Sequence, residues 1–389
     1  MLKIQNLNKI DEAGLSVFPA EKYQIDSKFA DPDAIILRSF DMHSMELPSS
    51  LKAIARAGAG YNNIPVDKCT EKGIVVFNTP GANANGVKEL VLAGLLLASR
   101  DIANGIEWVK TLKGKGAEIA TLVESGKNNY AGTEIQKKTL AVIGLGAIGV
   151  LVANAAQSLG MNVIGYDPYI SVNAALKLSS SVNVARSLDA TVGNADFVTI
   201  NIPQTPETKG YINKELISHM KDGVKVLNFA RGGLVNNADM KAALESGKVA
   251  KYITDFPDAD VLDMPNVIAI PHLGASTAES ETNCAIMAAD QIREYLEKGN
   301  IINSVNFPAA EMDRSGGTRI VIANKNVPNM VSQITAVLAS ENVNISNMLN
   351  RNRNEIAYNI IDVDKADVCN SCVEKLKAIQ GVFLVRKID

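Results

Sequence analysis

The chain has 389 residues, of which 47% are hydrophobic and 21% are charged, and its formal net charge at pH 7 is −3. A chain of this length is expected to form two or three domains with ample hydrophobic core. The small net charge gives no reason to expect nucleic acid or an anionic membrane surface as a partner. The longest apolar run, 90–98, is about half as long as a membrane-spanning helix. Four cysteines in so long a chain favour reduced thiols and a cytoplasmic location.

Between residues 1 and 90, short β-rich runs at 34–38, 51–57 and 74–78 alternate with helix-like segments. Such alternation predicts a parallel sheet with covering helices. The helix predicted at 90–99 is apolar on most sides, which indicates that it is buried or lies at an interface. This helix favours self-association, as a homodimer or a homotetramer.

An apolar run at 138–143, suited to a buried strand, passes directly into a G-x-G-x-x-G sequence that is followed by a helix-compatible segment. The first glycine allows a tight turn, the second lets a pyrophosphate approach the backbone, and the third lets the helix pack closely on the strand. The phosphates would lie over the helix N-terminus, where free N–H groups and the helix dipole favour negative charge. The predicted dinucleotide contacts in this turn are Gly144, Gly146, Ala147, Ile148 and Gly149.

A second apolar segment, at 162–166, ends in Asp167, where an acid should hold the ribose hydroxyls of the adenosine. A carboxylate at this position would repel a 2′-phosphate. The sequence therefore predicts NAD rather than NADP as the cofactor.

Four further runs, at 196–202, 225–230, 250–255 and 267–271, extend this second unit, and a long helix is predicted at 277–298. Because that helix leads back toward the first unit, the first domain is predicted to be discontinuous. The predicted domains are a substrate-binding domain at 1–90 and 275–310, an NAD-binding domain at 91–274 and a C-terminal domain at 318–389. The predicted fold class is α/β, with two doubly wound, Rossmann-like parallel-sheet domains followed by a smaller domain.

The segment 306–317 is predicted to be a linker before the C-terminal domain. That domain follows a βαββαβ order, which is typical of the ferredoxin-like fold. Its elements are predicted at 319–323, 330–341, 345–350, 356–363, 368–379 and 382–387. Cys369 and Cys372 are interpreted as two small residues one turn apart on a helix, because no second cysteine pair or nearby histidine could complete a zinc site. No metal is expected.

Arg231 follows the strand predicted at 225–230 and begins an Arg-Gly-Gly turn. The carboxyl ends of the strands face the ligand crevice in a doubly wound sheet. A guanidinium there could hold a small carboxylate or keto oxygen by two parallel hydrogen bonds. The alternative is a surface arginine beside a glycine turn.

His272 lies at the end of the strand predicted at 267–270, on the same rim as Arg231. The other histidines are His43, in a polar loop, and His219, among polar neighbours in a helix. Moving a hydride between a hydroxyl carbon and a nicotinamide also requires a proton to leave or join the oxygen. A side chain that titrates near neutrality suits that task, so His272 is the candidate acid/base.

Three carboxylates lie between Arg231 and His272 in the chain: Asp255, Asp258 and Asp260. An acid hydrogen-bonded to the imidazole would fix its tautomer and stabilise its charged form. Asp255 ends a strand and is either structural or near the nicotinamide. Asp258 and Asp260 are both plausible partners of His272, although either is equally compatible with a solvated loop acid.

Four strings, together with these motifs, resemble the D-isomer-specific 2-hydroxyacid dehydrogenases, and the similarity covers nearly the whole chain. They are RAGAGYNN at 56–63, NTPGANAN at 78–85, LNFARGG at 227–233 and PHLGAST at 271–277. The resemblance is strongest to the branch that oxidises 3-phospho-D-glycerate to 3-phosphohydroxypyruvate with NAD, the first step of L-serine biosynthesis. The C-terminal domain resembles the ACT regulatory domain.

The resemblance implies that Arg231 binds the substrate carboxylate and polarises the oxygen, and that His272 is the acid/base. The family's spacing from Arg231 leads to Asp260 as the acidic partner of His272, with Asp258 as the alternative. This sequence departs from the family there, because the partner is usually a glutamate and the loop is usually longer.

Further contacts are implied for the substrate and the cofactor. Arg38 matches an arginine that reaches the substrate's phosphate or carboxylate, and Arg56, Gly58 and Lys88 are expected in neighbouring loops that also bind substrate. For Lys88 the equal alternative is a surface role near a helix N-terminus. The additional cofactor contacts implied by matching position are Pro203, Thr208, Ala230, Asp255 and Gly274.

The C-terminal domain is expected to bind an amino-acid effector, L-serine, through Asn326 and Asn344. The pocket is altered, because Asn324 stands where a histidine is usual and Asn329 replaces the glycine that normally follows Pro328. Two alternatives concern the whole chain. One is a dehydrogenase of another D-2-hydroxy acid, with hydroxypyruvate, glyoxylate or 2-oxoglutarate as the oxo acid, and the other is a non-enzymatic NAD(H)-sensing protein that resembles the corepressors.

Overall fold

The computed structural model describes residues 1–315, 317–364 and 370–388. Its contacts divide the chain into two compact units, Met1–Asn83 with Glu281–Asp389, and Ala84–Ser280. Each unit contains a parallel sheet, and the first also contains an antiparallel sheet near the C-terminus. The predicted α/β fold class is therefore confirmed. Among the described residues, no helix combines the length and the hydropathy that crossing a bilayer requires.

The parallel sheet of the first unit has five strands in the order β2-β1-β3-β4-β5. Its strands are β1 (Leu2–Asn6), β2 (Tyr23–Asp26), β3 (Ala34–Leu37), β4 (Ala53–Arg56) and β5 (Val75–Phe77), with helices α1 (Glu12–Leu15) and α2 (Val66–Glu71). The central strand β3 and the neighbouring inner strand β4 are apolar and almost completely buried, as expected when both faces of a parallel sheet are covered.

The second unit has a seven-stranded parallel sheet in the order β12-β11-β10-β9-β6-β7-β8. Its strands are β6 (Thr139–Ile143), β7 (Asn162–Tyr166), β8 (Asn183–Val184), β9 (Phe197–Ile200), β10 (Val224–Asn228), β11 (Val249–Thr254) and β12 (Val267–Ala269). Its helices are α3 (Ala84–Ser99), α4 (Ile102–Thr111), α5 (Ile119–Gly126), α6 (Ala147–Ser158), α7 (Val172–Lys177), α8 (Leu188–Val192), α9 (Lys214–His219), α10 (Asn237–Glu245) and α11 (Ala259–Leu262). The strand order reverses between β6 and β9, and ligands of such sheets bind at the carboxyl ends next to the reversal.

Helix α3 begins six residues before the predicted apolar segment at 90–99. Its first turn contains Asn85 and Gly86. Both residues have low helix propensity, so the sequence pattern did not predict that the helix begins before residue 90. Gly86 has a packing reason to be there, because a Cβ at this position would lie 2.8 Å from Oγ of Ser280.

The C-terminal part contains the long helix α12 (Ala278–Lys298) and then the predicted βαββαβ order. The elements are β13 (Thr318–Lys325), α13 (Met330–Ser340), β14 (Ile345–Arg353), β15 (Ile356–Val363), α14 (Asn370–Lys377) and β16 (Val382–Ile388), with sheet order β14-β15-β13-β16. Along β13, Ile320 and Ile322 face the helices. Cys372 is buried in the same cluster, whereas Cys369 lies outside the described residues.

The other face of this antiparallel sheet shares a core with the five-stranded sheet of the first unit, where Val321 and Ala323 of β13 pack. Arg319 and Asp362 form a fully buried ion pair of 2.6 Å, and Arg319 also donates to the carbonyl of Lys298 at 2.9 Å. Burial raises the pKa of Asp362, but hydrogen bonds from Arg319 and Ser315 and the guanidinium charge lower it by more. The C-terminal sheet is thus packed on the first unit and not set apart beyond a linker.

Candidate active site

The glycine turn after β6 has the geometry that a dinucleotide pyrophosphate requires. Gly144 has a φ of +92°, and a Cβ there would lie 2.7 Å from the carbonyl oxygen of Asn201. A Cβ on Gly149 would lie 1.9 Å from the carbonyl oxygen of Gly144, so only glycine lets α6 start this close to the strand. A Cβ on Gly146 would meet nothing within 4 Å, which leaves the N-terminus of α6 open to an approaching anion.

Asp167 lies beside this turn at the end of β7. Its Oδ2 accepts a hydrogen bond from the backbone N–H of Leu145 at 2.9 Å, and its Oδ1 accepts one from Tyr169 at 2.8 Å. These bonds fix the carboxylate next to the predicted phosphate turn. The remaining predicted contacts in the turn, Ala147 and Ile148, form the first residues of α6.

The loop after β9 contains the predicted cofactor contacts Pro203 and Thr208. The Thr208 hydroxyl donates to the carbonyl oxygen of Pro203 at 2.8 Å and accepts a hydrogen bond from the N–H of Thr205 at 2.7 Å. Thr208 therefore closes the loop on itself at the edge where β6 and β9 end.

Arg231 follows β10, and its side chain is exposed. Its Nη1 donates to the carbonyl oxygen of Ala230 at 2.8 Å. The completely buried side chain of Asn228 stabilises this turn. Its Nδ2 donates to the carbonyl oxygen of Arg231 at 2.9 Å, and its Oδ1 accepts a hydrogen bond from the N–H of Ala230 at 3.2 Å. The backbone of Arg231 is therefore fixed, while its guanidinium remains accessible to a ligand.

His272 follows β12, and its ring packs on Phe256 with a centroid distance of 4.6 Å. A Cβ on Gly232 would lie 3.2 Å from Cβ of Phe256, so Phe256 touches both the turn that follows Arg231 and the imidazole. Strands β10, β11 and β12 are adjacent and parallel in the sheet, so Arg231 and His272 both follow carboxyl ends on the same rim.

The predicted hydrogen bond between Asp260 and His272 is not formed in the structure. Asp260 is exposed in the short helix α11, and its carboxylate has no hydrogen-bond partner among the described residues. Asp258 is not a partner either, because it caps α11 by accepting from the N–H of Val261 at 2.8 Å. In the described part of the chain neither imidazole nitrogen of His272 is hydrogen-bonded. His43 and His219, by contrast, lie 2.6 and 2.8 Å from aspartate oxygens.

Asp255 is a carboxylate whose pKa responds to the charge of His272. This side chain is completely buried, and its Oδ2 accepts a hydrogen bond from the N–H of Gly274 at 3.2 Å. Burial raises the pKa of Asp255, and the Gly274 hydrogen bond and the charge of His272 oppose that rise only in part. Its Oδ1 has no partner, which suits an acceptor for a cofactor amide.

In the first unit, Arg38 follows β3 in a loop that Asn8 organises. Oδ1 of Asn8 accepts hydrogen bonds from the N–H groups of Arg38, Ser39 and Phe40 at 3.2, 3.0 and 2.8 Å. The guanidinium of Arg38 points its Nη1 to within 2.7 Å of Oε1 of Glu281. Arg38 is thus held in position by its backbone and is already paired with a carboxylate.

Arg56 ends β4, and its guanidinium folds over Gly58. A Cβ on Gly58 would lie 2.1 Å from Nη1 of Arg56, so the glycine makes room for the cation. The expectation that Lys88 occupies a loop is wrong, and the alternative of a surface position near a helix N-terminus is the one that the structure shows. Lys88 lies in the second turn of α3 in the other unit, and its Nζ is 3.5 Å from Glu89.

The predicted effector residues make contacts within the C-terminal sheet. Asn326 donates to the carbonyl oxygen of Asn354 at 3.0 Å, and Asn344 donates to Asp364. Asn324 is buried and bonds to Asn359 at 2.8 Å. Asn329 has a φ of +71°, in the left-handed region. Glycine adopts this conformation most readily, and asparagine adopts it more readily than most other residues.

Sequence reasoning missed four residues that shape the site: Asn8, Asn228, Phe256 and Glu281. Asn8 and Asn228 act through backbone groups that come into reach only in the folded chain. Asn228 carried a weak signal, since a polar residue inside the apolar run before Arg231 needs a buried partner.

Comparisons with known proteins agree with this geometry. Residues 92–274 match the family described as "D-isomer specific 2-hydroxyacid dehydrogenase, NAD binding domain". The D-3-phosphoglycerate dehydrogenase of Methanocaldococcus jannaschii is 36% identical over 304 residues, which are 76% of this chain and 56% of that protein. The enzyme of the same name from Mycobacterium tuberculosis is 34% identical over 337 residues, which are 81% of this chain and 61% of that protein.

Solved structures show the same fold. The NAD+-bound 3-phosphoglycerate dehydrogenase of Entamoeba histolytica aligns with a TM-score of 0.59 and 25% identity, over 78% of this chain and 98% of that one. The D-mandelate dehydrogenase of Rhodotorula graminis aligns with a TM-score of 0.66 at 22% identity, over 80% of this chain and 98% of that one. The chain spans a little over half the length of the two sequence relatives named above. The matched domain, the relatives and the fold show that the chain belongs to the D-isomer-specific 2-hydroxyacid dehydrogenase family.

Proposed function

We propose that this protein oxidises 3-phospho-D-glycerate to 3-phosphohydroxypyruvate with NAD, as the first step of L-serine biosynthesis. The observation that carries the proposal is the rim of the seven-stranded sheet, where the open glycine turn, Arg231 and His272 all follow the carboxyl ends of strands. Two sequence relatives with more than 30% identity bear the name of this activity.

The residues of the second unit fit NAD. Gly146 leaves the backbone open for a pyrophosphate, Asp167 is fixed beside the turn to accept from ribose hydroxyls, and the unpartnered Oδ1 of Asp255 can accept from a carboxamide. Bound NAD would supply the hydride acceptor of the oxidation. A carboxylate at Asp167 disfavours the extra phosphate of NADP by charge repulsion.

The substrate would be bound by guanidinium groups and deprotonated by an imidazole. Arg231 would hold the substrate carboxylate with two parallel hydrogen bonds, and Arg38 and Arg56 would hold its phosphate. His272 would take the hydroxyl proton as the hydride leaves the carbon. The charge that His272 then carries would favour the ionised form of Asp255. The partnership of Asp260 with His272 stays a prediction, and it requires α11 to move.

One observation favours a second candidate. Because Arg38 is already paired with Glu281, less positive charge is available to bind a phosphate. This pairing would reduce the binding affinity of an unphosphorylated acid such as hydroxypyruvate less than that of a phosphorylated one. The alternative keeps the same chemistry on another D-2-hydroxy acid.

One assay tests these proposals together. Purified protein is given NADH, or NADPH, with 3-phosphohydroxypyruvate, hydroxypyruvate, glyoxylate or 2-oxoglutarate, and the loss of reduced-cofactor absorbance is followed. We expect the highest kcat/KM with NADH and 3-phosphohydroxypyruvate. A higher value for an unphosphorylated acid would favour the second candidate, and no turnover of any acid would favour the non-enzymatic alternative.

We further infer that the protein acts in the cytoplasm as a homodimer or homotetramer and that its C-terminal domain binds L-serine through Asn326 and Asn344. Both asparagines are exposed, but Asn326 follows the end of β13 that pairs with Ile356, whereas Asn344 precedes the end of β14 that pairs with Val363. They therefore lie at opposite ends of the sheet, and a site that uses both requires two copies of the domain. Sedimentation measures the oligomeric state. Saturating serine that changes neither the rate nor the melting temperature would contradict the effector site.

A further inference from the structure

The ion pair between Arg38 and Glu281 bears on substrate choice. Nη1 of Arg38 and Oε1 of Glu281 are 2.7 Å apart, and the two side chains are 41% and 46% exposed. A phosphate that reaches this guanidinium therefore meets a carboxylate bound to the same donor. Two anions compete for one cation.

Both partners rest on fixed backbone. The loop of Arg38 is held by Asn8, as described above, and Glu281 lies in the first turn of α12. Next to Glu281, the hydroxyl of Thr282 donates to Asp11 at 2.8 Å. One turn further, Ala285 packs so closely on the first unit that a Cβ on Gly14 would lie 2.5 Å from its Cβ. Only side-chain rotation can separate the pair.

A second guanidinium lies within electrostatic range of the same place. Burial raises the pKa of the nearby Cys284 thiol. The positive charges of Arg38 and Arg56 lower this pKa, and the negative charge of Glu281 raises it. The charges of Arg38, Arg56 and Glu281 thus all affect the pKa of one buried group, the Cys284 thiol. Two of these three side chains are cations, and Glu281 is the anion.

The effect of that anion depends on the charge of the substrate. A phosphate monoester carries about −1.5 to −2 at neutral pH, in addition to the carboxylate that every 2-hydroxy acid has. A ligand with a phosphate must share Arg38 with Glu281 or displace it, and in either case it approaches the negative charge of Glu281. A ligand whose only anionic group is a carboxylate held by Arg231 avoids both costs.

We propose, on the basis of the proposed function, that Glu281 is a specificity-determining residue that weakens binding of the phosphorylated substrate by competing for Arg38. It sets the KM for phosphorylated acids while leaving unphosphorylated acids unaffected. The same competition speeds departure of the phosphorylated product.

The test is Glu281→Gln, which keeps the length of the side chain and removes its charge. We expect the KM for 3-phosphohydroxypyruvate to fall about three- to five-fold, the range of an exposed ion pair, with kcat nearly unchanged. The KM for hydroxypyruvate should stay the same. The difference between variant and wild type should shrink at high ionic strength, because salt screens exposed charges.

Glu279→Gln is the matched control, since it removes an exposed carboxylate from the same first turn, and Glu279 forms no ion pair in the described part of the chain. It should leave both KM values unchanged. A Glu281→Gln variant that lowers both KM values equally, or raises that for 3-phosphohydroxypyruvate, overturns the proposal, because Glu281 would then only position Arg38.

A binding measurement separates this inference from the proposed function. Calorimetric titration of wild type and Glu281→Gln with 3-phosphoglycerate does not depend on turnover. A three- to five-fold tighter dissociation constant in the variant supports the competition even if the wild type prefers to reduce hydroxypyruvate. Equal dissociation constants, or no binding to either protein, overturn it.

Discussion

The glycine turn after β6 and the rim around His272 lie in the same sheet but are specified in different ways. In the turn, the contacts that decide function are between backbone atoms, as at Gly149, where a Cβ would lie 1.9 Å from the carbonyl oxygen of Gly144. At the rim, they are between side chains from separate loops, and His272 contacts Phe256 and not the acid expected from spacing. The backbone geometry of the turn follows from the local sequence. The pairing of side chains at the rim depends instead on the lengths and conformations of the separate loops that carry those side chains.

The largest effect is expected from Gly149→Ala, which tests how strictly the turn depends on backbone contacts. The added methyl would overlap the carbonyl oxygen of Gly144, an atom that cannot rotate away. We expect the free energy of unfolding to fall by about 3 kcal/mol, measured by urea denaturation, together with loss of NADH binding.

Gly146→Ala is the control, because a Cβ at that position meets nothing within 4 Å. We expect its free energy of unfolding to stay within about 0.5 kcal/mol of wild type, while its methyl blocks the approach of the pyrophosphate. If Gly146→Ala binds NADH as tightly as wild type, the dinucleotide does not lie over this turn.

His272→Asn tests the chemical role of the rim. Asparagine keeps a polar side chain of similar size but cannot take the substrate proton, so we expect kcat to fall by about 10²- to 10⁴-fold. NADH binding, measured by fluorescence titration, should change little, because His272 is exposed and distant in sequence from the glycine turn. A kcat within a few-fold of wild type would remove His272 from the mechanism.

The elements that the sequence predicts well are those whose signal is periodic or local. Strand β15 has the predicted bounds, and β6 and α12 differ from prediction by one residue. The start of α3 was missed because Asn85 and Gly86 have low helix propensity, and Gly86 is required there by its close packing on Ser280.

The site was predictable only in part, for a physical reason. Arg231 and His272 follow strand ends, and strand order places them on one rim. The missing Asp260 contact could not be anticipated, because the short loop after β11 folds into α11, and Asp258 caps that helix. Likewise, the packing of the C-terminal sheet on the five-stranded sheet brings Val321 and Ala323 into one core with Val75, which is distant in sequence.

Asp255→Asn separates stability from function at the rim. The pKa of Asp255 is raised by burial, so the folded state holds this proton more tightly than the unfolded state does. The contribution of Asp255 to the free energy of unfolding is therefore most favourable at pH values below the ordinary aspartate pKa. This contribution falls as the pH rises through the raised pKa of the folded state. Asparagine does not titrate and can still accept from the N–H of Gly274.

We expect Asp255→Asn to raise the melting temperature at neutral pH and to have no such effect at acidic pH, by thermal denaturation across a pH series. NADH binding should weaken, because the amide offers one acceptor oxygen where the carboxylate offers two. A variant with a lower melting temperature at neutral pH would show that the ionised carboxylate is compensated by interactions beyond those with Gly274 and His272.

The smallest effect is expected from Asp260→Asn, which is the sharpest test of the difference between the two regions. Its carboxylate is exposed and makes no hydrogen bond in the described part of the chain. Because Asp260 is on the surface and away from special contacts, we expect the kcat of Asp260→Asn to stay within about two-fold of wild type. Asp258→Asn is the companion variant, because asparagine also caps helices and should preserve α11. If Asp260→Asn instead reduces kcat strongly and flattens the pH dependence of the rate, α11 must rearrange when substrate binds. The rim would then be assembled by the ligand, whereas the glycine turn is formed before the ligand arrives.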